Sequence, residues 1–276
     1  MPVEPQTLLI RAGETERQYW RDLWNYRELF YFLAWRDILV RYKQTIIGIA
    51  WSLLRPLIAL VVLTVIFGKV AKLSSGGVPY PILVCAGLLP WQFFANALTD
   101  SSNSLISNAN LVSKVYFPRL IVPLSSVVTA LADFCISLAI LAGLMVWYQY
   151  IPSARVVFVP LFLALAIIAA TGAGVWLAAL TVRYRDFRFI VPLIVQFGVF
   201  LSPLGYRLEE VPAEWRLLYS ANPMVGVING FRWALLDSGV ELHGYSVLMS
   251  ALVAGALLAI GVWHFRRTER TFADTI

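Results

Sequence analysis

Residues 156–182 read VVFVPLFLALAIIAATGAGVWLAALTV, a run without one charged side chain. A helix needs about 20 mainly apolar residues to cross the hydrocarbon core of a bilayer, and this run exceeds that. Working outward, similar stretches recur at about 49–70, 79–98, 120–147, 189–204 and 247–265. The chain is thus expected to be an all-α polytopic membrane protein with six transmembrane helices. Composition agrees: 59% of the 276 residues are hydrophobic and 14% charged, with a mean hydropathy of +0.73. A soluble protein of this size would need more polar surface to cover its core. Prolines 79, 81 and 90 interrupt the second run, and prolines 192 and 203 bracket the fifth. Neighbouring helices can satisfy the carbonyls that proline frees.

Lysine and arginine orient the spans, because cytoplasmic loops carry the excess of positive charge. One set of connecting segments, which includes Arg11 to Arg55, Lys114, Arg119, Arg183 to Arg188 and Arg266 to Arg270, holds sixteen basic residues. The opposite set holds six: Lys69, Lys72, Arg155, Arg207, Arg216 and Arg232. The first set is expected in the cytoplasm, with both termini. Residues 1–48 then form a cytoplasmic head, 49–265 the membrane domain and 266–276 a tail. The apolar patch Leu8-Leu9-Ile10 is too short for a cleavable signal, so the N-terminus is expected to stay where it is made. The net charge of +6 comes in short clusters between apolar runs, a pattern of topology rather than of a nucleic-acid face.

Four segments depart from plain spans. Residues 21–43, with the run Leu29-Phe30-Tyr31-Phe32-Leu33-Ala34-Trp35 and with Asp37 and Arg41 at helical i,i+4 spacing, suit an amphipathic helix lying at the membrane interface. An ordinary cytosolic helix packed on the spans is the alternative. The loop 99–118 is polar at Asp100-Ser101-Ser102-Asn103-Ser104. Its second half can form a short helix whose Leu111, Val115 and Phe117 need a partner, either the membrane surface or a cytoplasmic subunit. Residues 205–245 are too long for a turn and too apolar for a free loop. Two short helices meeting at Asn222-Pro223 would dip into the membrane and return, which requires protein or a water path around them. Asp133 is a lone charge in the third span. It fits a structural pairing, since a proton relay would need more ionisable partners.

Chemistry for catalysis is missing from the pattern. His243 and His264 are expected on opposite sides of the membrane, and no Cys/His spacing fits a metal. Cys85 and Cys135 lie in apolar runs and read as small buried hydrophobes. No Gly-rich loop ends in Lys-Ser or Lys-Thr, so the chain shows no P-loop. Glu209, Glu210 and Glu214 read as a solvated external rim. A transport subunit driven by a separate ATPase and a membrane enzyme acting on lipid-linked sugars both stay open. A proton-driven transporter is weakened by the shortage of charges within the spans.

An ordered set of motifs adds to this reading. Arg41-Tyr42-Lys43-Gln44-Thr45-Ile46-Ile47-Gly48-Ile49-Ala50-Trp51, then Arg55-Pro56, resembles the start of the permease of type-2 ABC exporters of polysaccharides. Gly87-Leu88-Leu89-Pro90-Trp91-Gln92-Phe93-Phe94, Tyr184-Arg185-Asp186-Phe187 and Asn222-Pro223-Met224 follow in the same order, across about residues 28–270. O-antigen and teichoic-acid exporters are the groups it most resembles, and a related exporter of a lipid or drug is the alternative.

The resemblance implies a multi-pass protein of the bacterial cytoplasmic membrane. It implies a second copy of the chain and two copies of a cytoplasmic ABC ATPase, which would bind ATP and magnesium; this chain would hold no cofactor. The cargo would be a glycan on undecaprenyl diphosphate, among membrane lipids and without nucleic acid. The resemblance makes 21–47 the interface helix and about 104–117 the coupling helix, with Asn108, Leu111, Val112, Lys114 and Val115 facing the ATPase. It makes 206–245 the external re-entrant segment turning at Asn222, Pro223 and Met224, and has the first and fifth spans line the pore. Aromatic rings stack on the apolar faces of sugars, so Tyr31, Phe32, Trp35 and Trp51 are candidates at the entrance, and Phe197, Phe200 and Tyr206 further out. Each could equally anchor or pack a helix. Arg36, Arg41 and Lys43 are candidates for the lipid diphosphate, or simply mark the cytoplasmic side.

Overall fold

The computed structural model describes residues 16–43, 46–236 and 240–272, and every regular element among them is helical. The apolar patch at residues 8–10, Gln44 and Thr45 lie outside the described residues. The expected interface helix is two helices, α1 (Glu16–Asn25) and α2 (Arg27–Lys43), bent at Tyr26. The break is slight, since the Tyr26 amide still donates to Asp22 and the Phe30 amide to Tyr26. α3 (Ile46–Leu63) follows and loosens into a π-helical turn, Thr64–Val70.

α4 (Tyr80–Ser107) has 28 residues, about 42 Å of helix, and runs straight through the segment expected to be a polar loop. Only residues 108–118 connect it to the next span, and their helix α5 (Ala109–Lys114) is six residues long rather than the expected 104–117. The hydroxyls between positions 101 and 107 explain the correction. Ser102 and Ser104 donate to carbonyls three residues back, and Ser101 donates across to Pro123, so the polar side chains bind the helix backbone instead of breaking it.

α6 (Ile121–Trp147) and α7 (Val159–Arg183) match the third and fourth expected spans closely, α7 being preceded by a 3-10 turn from Ala154 to Phe158. α8 (Phe187–Gly198) has 12 residues, about 18 Å, and ends in turns instead of reaching 204 as a helix. α9 (Ala213–Tyr219) and α10 (Pro223–Leu235) meet at Asn222-Pro223, and α11 (Gly244–Thr268) closes the chain. Among the described residues, five helical segments are long and apolar enough to cross a membrane, and α8 is a shorter apolar helix.

α4 is the hub, 83% buried over its apolar window, and packs on α6, α7 and α10. α7 and α11 approach backbone to backbone. A Cβ on Gly172 would lie 2.4 Å from the Leu258 amide nitrogen, and one on Gly261 2.3 Å from the Gly172 carbonyl oxygen. Small residues at a crossing let two helices gain dispersion contact where water offers no drive. α3, by contrast, is only 11% buried over its window. Of the cysteines, Cys85 is buried as expected, but Cys135 is exposed, turned outward from α6.

Candidate functional site

One end of the bundle gathers α2, α5 and the ends of α4, α7 and α11. Leu33 of α2 packs there with Leu105, Val112, Phe117, Val182 and Phe265. Polar contacts fix the same junction. Arg36 donates through Nη2 to Asn108 Oδ1 at 2.8 Å and to Asp37 Oδ1 at 2.7 Å, while Asn108 Nδ2 donates to the Ser104 carbonyl at 2.9 Å. α2 therefore grips the joint between α4 and α5.

Deeper in, Arg41 lies between two carboxylates. Its Nη1 donates to Asp133 Oδ2 at 2.5 Å and its Nη2 to Asp100 Oδ2 at 2.6 Å. The Tyr42 hydroxyl donates to the other Asp133 oxygen, and Asn96 Nδ2 reaches Asp133 Oδ2 at 3.3 Å. The side chain of Asp133 is 15% exposed, and a charge so far from water is tolerable only when paired and hydrogen-bonded. The lone intramembrane acid thus has the structural pairing expected of it. Burial opposes the charge on Arg41, but Asp100 and then Asp133 outweigh it and raise its pKa. Burial, with Asp133 next, raises the Tyr42 pKa as well, so its hydroxyl stays a donor. The i,i+4 pairing of Asp37 with Arg41 does not form, because each finds a closer partner in Arg36 or across the bundle.

Arg36 and Arg41 therefore meet carboxylates, whereas Lys43 is exposed. On the outer side of α2, Tyr31, Phe32 and Trp35 are 67%, 60% and 49% exposed, and Tyr31 stacks on Trp35 at 6.4 Å between ring centres. That face is aromatic rather than charged, which differs from a simple amphipathic helix. The Trp51 side chain lies outside the described residues. Phe197 and Phe200 project from the α8 end of the chain, more than half exposed. Tyr206 is half-buried, its ring beside Phe67 and its hydroxyl 2.6 Å from that of Tyr219. Among the described residues, no ring pair joins these two aromatic groups.

At α5 the apolar residues divide. Val112 and Phe117 are buried in the chain's own core, and Leu111 is half-buried against it. Phe117 consequently has its partner within the chain, contrary to expectation. Lys114, Val115 and Tyr116 remain in the open. At Asn222, the side-chain oxygen caps α10 by accepting from the Met224 amide at 2.9 Å, with Pro223 in the first helical position. Its Nδ2 donates to the Leu201 carbonyl and to Ser202, tying α10 to the turns after α8. Met224 is buried.

Sequence reasoning assigned Arg232 to the outer set of loop charges, but it is 2% exposed. It donates to the carbonyls of Leu83, Tyr206 and Leu204 at 3.1, 2.7 and 2.6 Å. Gly87 makes room for it, since a Cβ there would lie 2.8 Å from Nη2. Burial lowers the Arg232 pKa to about 10, which leaves the guanidinium charged near neutrality. The glycine of the Gly87-Leu88-Leu89-Pro90 motif was the available signal. At the opposite end, the Tyr19 hydroxyl donates to Glu269 at 2.9 Å and Arg266 lies 4.3 Å over its ring, joining α1 to the end of α11 and the turn that follows it.

Comparison with known proteins agrees with this architecture. The ABC-2 type transporter family matches residues 28–236. An O-antigen export system permease protein, RfbA, of Myxococcus xanthus is 28% identical over 261 residues, covering 93% of this chain and 98% of the relative. Its namesake from Klebsiella pneumoniae is 26% identical, over 90% and 95% of the two chains. The polysialic acid transport protein KpsM of Escherichia coli is 24% identical, over 85% and 91%.

Proposed function

Because the chain belongs to the ABC-2 type transporter family, we propose that it is the permease subunit of a transporter exporting an O-antigen-like, lipid-linked polysaccharide across the bacterial cytoplasmic membrane. The observation that carries this is the nearly full-length similarity to O-antigen export permeases. A separate ATPase supplies the energy, and this chain hydrolyses nothing.

In this reading two copies form the conduit. Support comes from α3 and α8, whose apolar side chains are widely exposed and which pack little within one chain. Each copy crosses six times with both ends in the cytoplasm. The sixth crossing needs α8 together with residues 199–204, as the helix alone is shorter than the roughly 30 Å core. α9 and α10 re-enter from outside, supported by the three carbonyls on Arg232, which satisfy a charge that lipid would not. Tyr31, Phe32, Trp35 and Trp51 receive sugar rings at the entrance, and Phe197, Phe200 and Tyr206 guide them outward. Lys43 is the first contact for the lipid diphosphate. Arg36 and Arg41 could join only by exchanging their carboxylates for phosphate.

Lys114, Val115 and Tyr116 give the ATPase its exposed foothold, while Asn108 passes movement of α5 to α2 through Arg36. ATP binding closes the ATPases, α5 and α2 move together, and α3 and α8 widen or narrow the path. Depletion of the chain should leave lipid-linked glycan accumulating on the cytoplasmic side. The purified chain should lack ATPase activity until its partner is added. Activity of the chain alone, or unchanged surface glycan after depletion, would sink this reading.

A further inference from the structure

A cavity lies beside the core cluster that Leu33 and Val112 share with Val182 and Phe272. It is half open, has a volume of about 640 Å³, and sits between the ends of α7 and α11. Arg183 of α7 and Trp263, His264, Arg267 and Thr268 of α11 line it, with Thr271 just beyond. Arg183 and Arg267 form no ion pair among the described residues. Their recorded contacts are with aromatic rings: Arg183 over Tyr184 at 5.3 Å and Arg267 over Trp263 at 5.6 Å. His264 Nε2 is shielded from water and has no hydrogen-bond partner among the described residues. No carboxylate among the described residues lines the cavity.

Two guanidiniums without carboxylates supply the donors of a site for an anion, while the Thr268 and Thr271 hydroxyls beside them already donate to backbone carbonyls. Arginine matches phosphate oxygens with paired N–H donors. Trp263 is 61% exposed at the rim, the position of a ring that sits at the level of lipid headgroups. The apolar lengths of α7 and α11 continue from the cavity along the bundle, where acyl chains would run. Basic pockets at the cytoplasmic ends of spanning helices bind anionic headgroups by this chemistry.

We propose that this cavity is a binding site for a phosphate monoanion or diester, filled in the membrane by the headgroup of an anionic phospholipid. The inference rests on the cytoplasmic orientation of the proposed function, but not on its cargo or its ATPase. A bound lipid there joins α7 to α11 beside the turn Glu269–Thr271.

The test uses the full chain purified in mild detergent and native mass spectrometry with added lipid. Phosphatidylglycerol and cardiolipin should be retained, and phosphatidylethanolamine should not. Arg183→Gln with Arg267→Gln should weaken phosphatidylglycerol retention at least tenfold, each guanidinium contributing a charge-assisted contact worth about that factor. Arg185→Gln with Arg188→Gln removes the same charge from the same side, outside the cavity, and should change retention less than twofold. Where the first double variant does not accumulate, Arg267→Gln alone decides, with about a tenfold loss expected. Added inorganic phosphate distinguishes the sources. Failure to displace the lipid supports the headgroup, and displacement at millimolar concentration identifies a soluble phosphate site and overturns the lipid assignment. Equal losses in the two double variants, or no loss in the first, overturn the site. Because the measurement needs neither glycan nor ATPase, failure of the export reading would leave its result unchanged.

Discussion

Arg41 answers two carboxylates from two different helices, so its removal has a particular signature. Arg41→Met leaves Asp100 and Asp133 facing each other with only Tyr42 and Asn96 as donors. Breaking a buried pair typically costs 3–5 kcal/mol, but the Arg41 side chain is 32% exposed, which argues for about 2 kcal/mol. Adding Asp133→Asn should recover more than half of the lost thermal stability in detergent. Simple additivity of the two losses would show that the residues do not interact. Gly87→Ala should similarly destabilise by about 1–2 kcal/mol, because Arg232 cannot step aside without losing a carbonyl. In an Arg232→Met background the same alanine should cost nothing further, and an undiminished cost would show that the glycine serves something else. The sequence made Asp133 conspicuous but not its partner. Arg41 is 92 residues away, and Asp37 stood at tempting helical spacing. Arg232 was hidden because its partners are backbone carbonyls, to which every sequence contributes equally.

At the scale of elements, long uncharged runs were legible, and α6 and α7 begin and end close to where hydropathy placed them. The extension of α4 was not. Asp-Ser-Ser-Asn-Ser is a composition that favours turns in isolation, and its helicity depends on hydroxyls turning back to carbonyls and on α6 close by. The junction of α9 and α10 was partly legible, since Asn222-Pro223 is both a cap and a first-turn proline. The division of α5 yields a prediction. Val115→Glu should uncouple ATP hydrolysis from export in the assembled transporter while insertion and stability stay normal. Phe117→Ala should instead lower stability by about 3 kcal/mol, since it empties a core site. Normal export by Val115→Glu would remove α5 from the coupling role.

For the whole molecule, the contrast between a buried α4 and a bare α3 is the feature that the second copy proposed above would cover. With Cys85 and Cys135 replaced by alanine, single cysteines scanned from Leu54 to Ile66 should crosslink two copies at positions recurring every three or four residues. Uniform or absent crosslinking along α3 would place lipid rather than a second copy against it. Sequence does not distinguish the two, because an apolar face bound for lipid and one bound for protein look alike. The clasp between Tyr19 and Glu269 has a different kind of consequence. The chain is synthesised from its N-terminus, so α1 leaves the ribosome before any of its partners near Arg266 and Glu269 exist. The contacts that tie α1 to Arg266 and Glu269 cannot form until that turn has been translated. A chain that stops before Arg266 therefore lacks this clasp, and α1 is left with the packing of Tyr19 and Leu23 on the core around Leu33 and Val112.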